Sequence, residues 1–171
     1  MPAELVVVDR DVPIAFSFDD LMRYHGAGSP GGVAHGFKVM ERALPLLAPD
    51  GPPERREIAV RTAFGGPGAR DAFELVTRAV TGGRYRVDEA LERPDRGRVL
   101  ERFAWRLSCG GRAVEIVLRE GFVDEEFVDL ARADRDAAQE VRLTELKRAL
   151  AERVLARPAS QVVDVVAVSS R

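Results

Sequence analysis

Val99-Leu100-Glu101-Arg102-Phe103-Ala104-Trp105-Arg106-Leu107-Ser108-Cys109-Gly110-Gly111-Arg112-Ala113-Val114-Glu115-Ile116-Val117-Leu118 decides the fold class of this chain. Val99, Glu101, Phe103, Trp105 and Leu107 recur at every second position, and so do Val114, Ile116 and Leu118. Side chains of an extended strand alternate between its two faces, so each run predicts a half-buried strand. The Gly110-Gly111 pair between them suits a tight turn with positive φ, and together they predict a β-hairpin.

Downstream of the hairpin the period changes. Asp124 opens an acidic helix, and a longer one is predicted over 136–155 with Leu143, Leu146, Leu150 and Val154 as a core or dimer-interface stripe. Pro158 closes that helix, and 162–168 reads as a last strand. Upstream, 84–98 is polar and without period. Ile58, Val60, Thr62 and Phe64 alternate as a strand, Gly65-Gly66-Pro67-Gly68 is a glycine-rich loop, and a helix is predicted over 69–80 with Ala72, Phe73, Val76 and Val80 inward. Thr81-Gly82-Gly83 ends it.

Nearer the start, Ser17-Phe18-Asp19-Asp20 reads as a capping box for a short helix over 18–24. His25-Gly26-Ala27-Gly28-Ser29-Pro30-Gly31-Gly32 then breaks the pattern with glycines and a proline. A helix follows over 33–47, with Val33, Phe37, Met40, Leu44 and Leu47 as its apolar stripe and Pro45 as a place to kink or stop. Val6-Val7-Val8 is a short strand or an ordering arm. The expected organisation is an N-terminal arm over 1–16 and one α+β domain over 17–171, a small mixed sheet covered by helices on one face.

Composition bounds the function. A chain of 171 residues, 46% hydrophobic and 32% charged, can bury one core without staples. The net charge of -2, with arginines interleaved among acids, gives no basic stripe and argues against nucleic acid as the main partner. The single cysteine, Cys109, cannot form an internal disulfide. The first residues lack the pattern of a signal peptide, and no apolar run approaches the roughly 20 residues that span a bilayer. A cytoplasmic protein that contacts no membrane is expected.

The segment 18–37, with its His25-Gly26-Ala27-Gly28-Ser29-Pro30-Gly31-Gly32 core, resembles the signature of the FmdE family of formylmethanofuran dehydrogenase proteins: a helix, then His-Gly-His-x-Cys-Pro-Gly, then a helix with a Gly-aromatic pair, here Gly36-Phe37. Gly68-Ala69-Arg70-Asp71-Ala72-Phe73 resembles that family's Cys-x-x-Asp-Ala segment, and Thr81-Gly82-Gly83-Arg84-Tyr85 resembles its Thr-x-Gly-Lys run. The resemblance spans residues 15–168. It implies an FmdE-like fold similar to the C-terminal domain of glyceraldehyde-3-phosphate dehydrogenase, a homodimer, and a metal site at these loops. The chain departs from the family where the metal would be held. His25 stands at the first histidine, but Ala27 replaces the second, Ser29 replaces a cysteine and Gly68 replaces another. One imidazole and a neutral hydroxyl do not make the three or four ligands that zinc requires. The expectation is therefore no metal and no cofactor.

The candidate site lies between the two glycine-rich loops. His25 and His35, the only histidines, flank the first of them, and an imidazole in a pocket can take or give a proton near neutral pH. His25 would act as general acid or base, or else satisfy helix-end carbonyls. Asp71 or His35 would orient it. His35 lies across its helix from Val33, where a second-face or dimer-contact role also fits. Ser29, Gly68, Arg70 and Tyr24 would contact substrate, with Arg70 or loop amides holding a carboxylate or enolate. Ser29 lacks a nucleophile elbow and also reads as a helix cap. Asp71 is favoured at a helix start by the dipole alone. Three readings follow: a metal-independent acid/base enzyme of lyase, isomerase or cyclase type acting on a small molecule, a non-catalytic small-molecule-binding or accessory homodimer, and a metal-binding protein with altered ligands.

Overall fold

The computed structural model describes residues 2–171. Met1, the first residue of the expected arm, lies outside them. The hairpin is present as β5 (Ala104–Cys109) and β6 (Arg112–Leu118), antiparallel from Ala104↔Val117 to Cys109↔Arg112. Gly110 and Gly111 take φ of 56° and 82°, a turn closed to side chains that cannot enter that region. Trp105, Leu107, Val114, Ile116 and Leu118 are buried on the inner face. On the outer face Arg106 bonds Glu115 at 2.8 Å, directly across the ladder. The first strand begins later than its alternation suggests. Residues before Ala104 turn back instead, with the Phe103 amide donating to the Leu100 carbonyl at 3.1 Å.

Around this hairpin β3 (Ala59–Thr62), β4 (Tyr85–Val87) and β7 (Val163–Ser170) complete a five-stranded sheet of order β4-β3-β5-β6-β7. Only β3 and β4 are parallel, so the sheet is mixed. The fold class is α+β. A second sheet is the two-stranded hairpin β1 (Glu4–Asp9) and β2 (Val12–Ser17). Its Leu5 and Val7 enter the main core, so the stretch read as an arm packs with the domain.

Helices α1 (Phe18–His25), α2 (Pro30–Leu47), α3 (Pro67–Thr77), α4 (Glu125–Arg132), α5 (Ala137–Leu155) and the short α6 (Ala159–Val162) fill the rest. The capping box of α1 forms, with the Ser17 hydroxyl accepting from the Asp20 amide and the Asp20 carboxylate accepting from the Ser17 amide. Pro45 does not stop α2, which runs on to Leu47. α3 stops earlier than its pattern, at Arg78 with φ 57°. The buried Glu74 carboxylate takes the amides of Val80 and Thr81 there, and Arg84 takes the carbonyls of Thr77 and Arg78, which satisfies the end of the helix from outside.

α2 is the central element. Every residue from Val33 to Met40 is buried, because sheet, α3, α5 and β1 surround it. A single apolar stripe therefore describes it poorly. His35 is only 1% exposed, which corrects the second-face or interface position expected for it.

Candidate functional site

The two glycine-rich loops are brought together by the starts of α2 and α3. A Cβ at Gly68 would strike the Ser29 carbonyl oxygen and lie 2.8 Å from the Val33 amide nitrogen. The absence of a side chain there lets the two helix starts touch. Pro30 and Pro67 occupy first-turn positions, where a missing N–H costs nothing. Neither helix has a side-chain cap or an acid in its first turn. In contrast α1, α4 and α5 are capped by Ser17, Asp124 and Asp136 and carry first-turn acids. The first amides of α2 and α3 thus keep their donors and their share of positive helix dipole.

His25 ends α1 and reaches Asp71 on α3. Its Nδ1 lies 2.8 Å from Asp71 Oδ2, with the imidazole side chain 8% exposed and the carboxylate 27% exposed. A carboxylate there fixes the ring and leaves Nε2 as the working nitrogen. That Nε2 is buried and without a hydrogen-bond partner, beside Gly28. Arg70 approaches the other carboxylate oxygen at 3.7 Å. Tyr85, on β4, brings a buried hydroxyl without a partner toward the same charges. Burial pushes its phenol up to about 12, with Arg70 opposing and Asp71 adding to the rise. Buried polar atoms without partners call for an explanation, and a ligand or a proton-transfer role is one that both could share.

On the other side of the helix starts lies a cleft of about 450 Å³. Ser29, Gly32 and the Phe64–Gly68 loop form one wall. α4, Arg135 and α5 form the other, through Phe127, Leu143 and Lys147 among others. The stacked rings of Phe64 and Phe103, 4.7 Å apart, line it as well. Lys147 Nζ donates to the Gly28 carbonyl at 3.3 Å and to Ser29 Oγ at 3.4 Å, tying α5 to the first loop. More open hollows on the surface, beside Arg142 and beside Arg119, hold none of the expected site residues.

The expected residues are therefore divided. His25, Asp71 and Arg70 form one cluster, and of the two proposed orienting groups it is Asp71 that meets His25. Ser29 and Gly68 line the cleft instead. Ser29 makes no capping bond to α2, which removes the cap role read for it. Tyr24 is exposed at the end of α1. His35 belongs to neither group. It sits in a cage of Phe64, Phe103 and Trp105 at ring distances of 6.0, 5.4 and 6.2 Å, and neither ring nitrogen has a partner. Burial pushes its pKa down to about 4. The cleft residues Arg102, Phe127, Arg132, Arg135 and Lys147 escaped the sequence reading, as did Tyr85. The four cations come from parts of the chain far from the loops, where a basic side chain looks like ordinary surface.

A metal at the position implied by the resemblance does not fit this chain. Among the described residues no three His, Cys, Asp or Glu side chains converge. His25 and Asp71 are a pair without a third ligand, and Ser29 Oγ faces Lys147, a cation. Compared with protein-family models and with curated proteins, the chain has no match.

Proposed function

We propose that this chain binds a small molecule in the cleft walled by its two glycine-rich loops on one side and by α4 and α5 on the other. The observation that carries this reading is the cleft: about 450 Å³, within the usual range for small-ligand pockets, walled by aromatic rings and edged by a few polar groups. The homodimer and the FmdE-like ancestry implied by the resemblance are parts of the same reading. Native mass spectrometry of the purified chain tests it. A retained or added small molecule should appear on the wild type and disappear with Ala131→Trp, which fills the cleft from an exposed position on α4. Equal occupancy in both proteins would remove the cleft from consideration. The same spectrum counts the chains in the assembly, and a monomer would remove the dimer.

A second reading is metal-independent acid/base catalysis of the lyase, isomerase or cyclase type at His25. It is favoured by the 2.8 Å bond to Asp71 and the unpartnered Nε2. In this reading Asp71 orients the ring, His25 Nε2 moves the proton, and Tyr85 and Arg70 stand by to hold developing negative charge. His25→Ala should abolish turnover of any substrate found by screening while leaving the circular dichroism spectrum unchanged. Retained turnover would end this reading.

A further inference from the structure

Sixteen side chains and backbone segments line the cleft, and no Asp or Glu is among them. Four are cationic: Arg102, Arg132, Arg135 and Lys147. In a chain with more acids than bases, a cavity with four cations and no acid is a local excess of positive charge. Three of the cations are partly neutralised from outside the cleft. Arg102 pairs with Glu92 at 3.2 Å, Arg132 with Glu101 at 3.7 Å and Arg135 with Glu140 at 2.9 Å. Lys147 has no carboxylate partner among the described residues; its contacts are a carbonyl and a hydroxyl. It stands beside the starts of α2 and α3, whose uncapped amides add positive potential to the same wall. The apolar part of the lining is aromatic and aliphatic: the stacked Phe64 and Phe103, then Phe127 and Leu143.

We propose that the ligand of this cleft is a small organic anion, an acidic head on a flat apolar body. The inference rests on the cleft-binding reading above and specifies its ligand class. The head would lie at Lys147, Ser29 and the first amides of α2 and α3, where an ammonium and helix dipoles converge on one point. The body would lie on the Phe64–Phe103 stack, with Phe127 and Leu143 facing it. A neutral body of equal shape would keep the ring contacts and lose the head, and a cationic one would in addition be repelled by the four cations of the lining.

Three probes of one shape separate these terms: naphthoate, naphthylmethanol and naphthylmethylammonium, titrated by calorimetry into the intact protein at low salt. Naphthoate should bind about tenfold more tightly than the alcohol, the difference expected for one charge-assisted contact, and the ammonium should not bind. Lys147→Met should cost naphthoate most of its advantage, a larger loss for the anion than for the alcohol. Raising the salt concentration should weaken naphthoate alone. Ala131→Trp should exclude all three. If alcohol and naphthoate bind equally, and both are lost in Ala131→Trp, the cleft binds small molecules but the anion assignment is wrong. If none of the probes binds, or if Ala131→Trp leaves binding intact, the cleft reading and the anion assignment fall together.

Discussion

His25 gives its Nδ1 to a carboxylate at 2.8 Å, whereas His35, on the next helix, faces three aromatic rings and bonds to nothing. Both imidazoles are largely withdrawn from water. What differs is the partner each fold element brings. Asp71 stands near the start of α3, where a carboxylate is favoured by the dipole and has room at the protein edge. His35 stands mid-way along α2, the one helix covered on all sides, and its neighbours are the inner face of the sheet and Phe64. The same residue type is thus an oriented acid/base candidate in one place and a neutral core group in the other. Burial alone does not separate the two roles; the charge opposite the ring does.

The largest effect expected from this contrast is acid lability carried by His35. Its folded pKa, about 4, lies below the ordinary value of 6.5, so the folded state binds fewer protons than the unfolded state between those values. Stability then falls as the pH falls. The contribution is complete above 6.5 and lost progressively down to about 4, amounting to about 3 kcal/mol. Urea unfolding at pH 7 and near pH 4.5 should show this loss in the wild type and a nearly flat profile in His35→Phe. Phe64, Phe103 and Trp105 carry no charge that would restore the imidazolium. Carboxylates held low, such as Asp9 beside Arg56 and Asp88 beside Arg61, lose their contributions only as the pH falls through still lower values. A pH-independent wild type would show that His35 finds a partner in solution.

The next effect tests the contact that sets both histidines in place. α2 carries His35 and α3 carries Asp71, and the two helices meet through Gly68 against Ser29 and Val33, and through Gly36 against Ala72. Gly68→Ala must push the helix starts apart, because the atoms it meets are backbone. A loss of about 1–3 kcal/mol is expected by urea unfolding, as for other overpacked interiors. The same substitution should reshape the cleft wall and weaken naphthoate. A neutral outcome would mean that the α2–α3 contact is soft and that the site geometry does not depend on it.

Much of this framework was legible in the sequence because its signals are local. The β5–β6 turn, the Ser17–Asp20 box and the starts of α4 and α5 rest on residues within four positions of one another. β4 was not legible: three residues long, it is held by bonds to β3, from the Val60 amide to the Arg84 carbonyl at 2.8 Å and from the Asp88 amide to the Thr62 carbonyl at 2.7 Å. The β1–β2 hairpin hid for a different reason. Its turn uses Arg10 and Asp11 at φ 52° and 67° where a glycine would have announced it, and β2 contains Pro13, a residue that strands usually avoid. At the site, the His25–Asp71 partnership was among the expected pairs since both loops could be read from their glycines. The cationic wall of the cleft was not, because Arg102, Arg132, Arg135 and Lys147 come to line one cleft only when the turn before β5, α4, the α4–α5 link and α5 fold against the loops.

The smallest effect on stability concerns the His25–Asp71 pair, yet it bears most on chemistry. Asp71→Ala removes one partly exposed hydrogen bond and should cost about 1 kcal/mol in thermal unfolding. Its second readout is reactivity. Diethyl pyrocarbonate acylates a neutral imidazole nitrogen that it can reach, and in the wild type Nδ1 is engaged by Asp71. A working base must be reachable by its substrate, so Nε2 of His25 should take a single acyl group while His35 stays unmodified in its cage. Asp71→Ala should then react at either nitrogen of His25. Should His25 prove as inert as His35 in the folded wild type, no substrate can reach Nε2, and the pair is a tie between α1 and α3. The distinction drawn between the two histidines would then reduce to one of hydrogen bonding, and the cleft would be left as the working site of the chain.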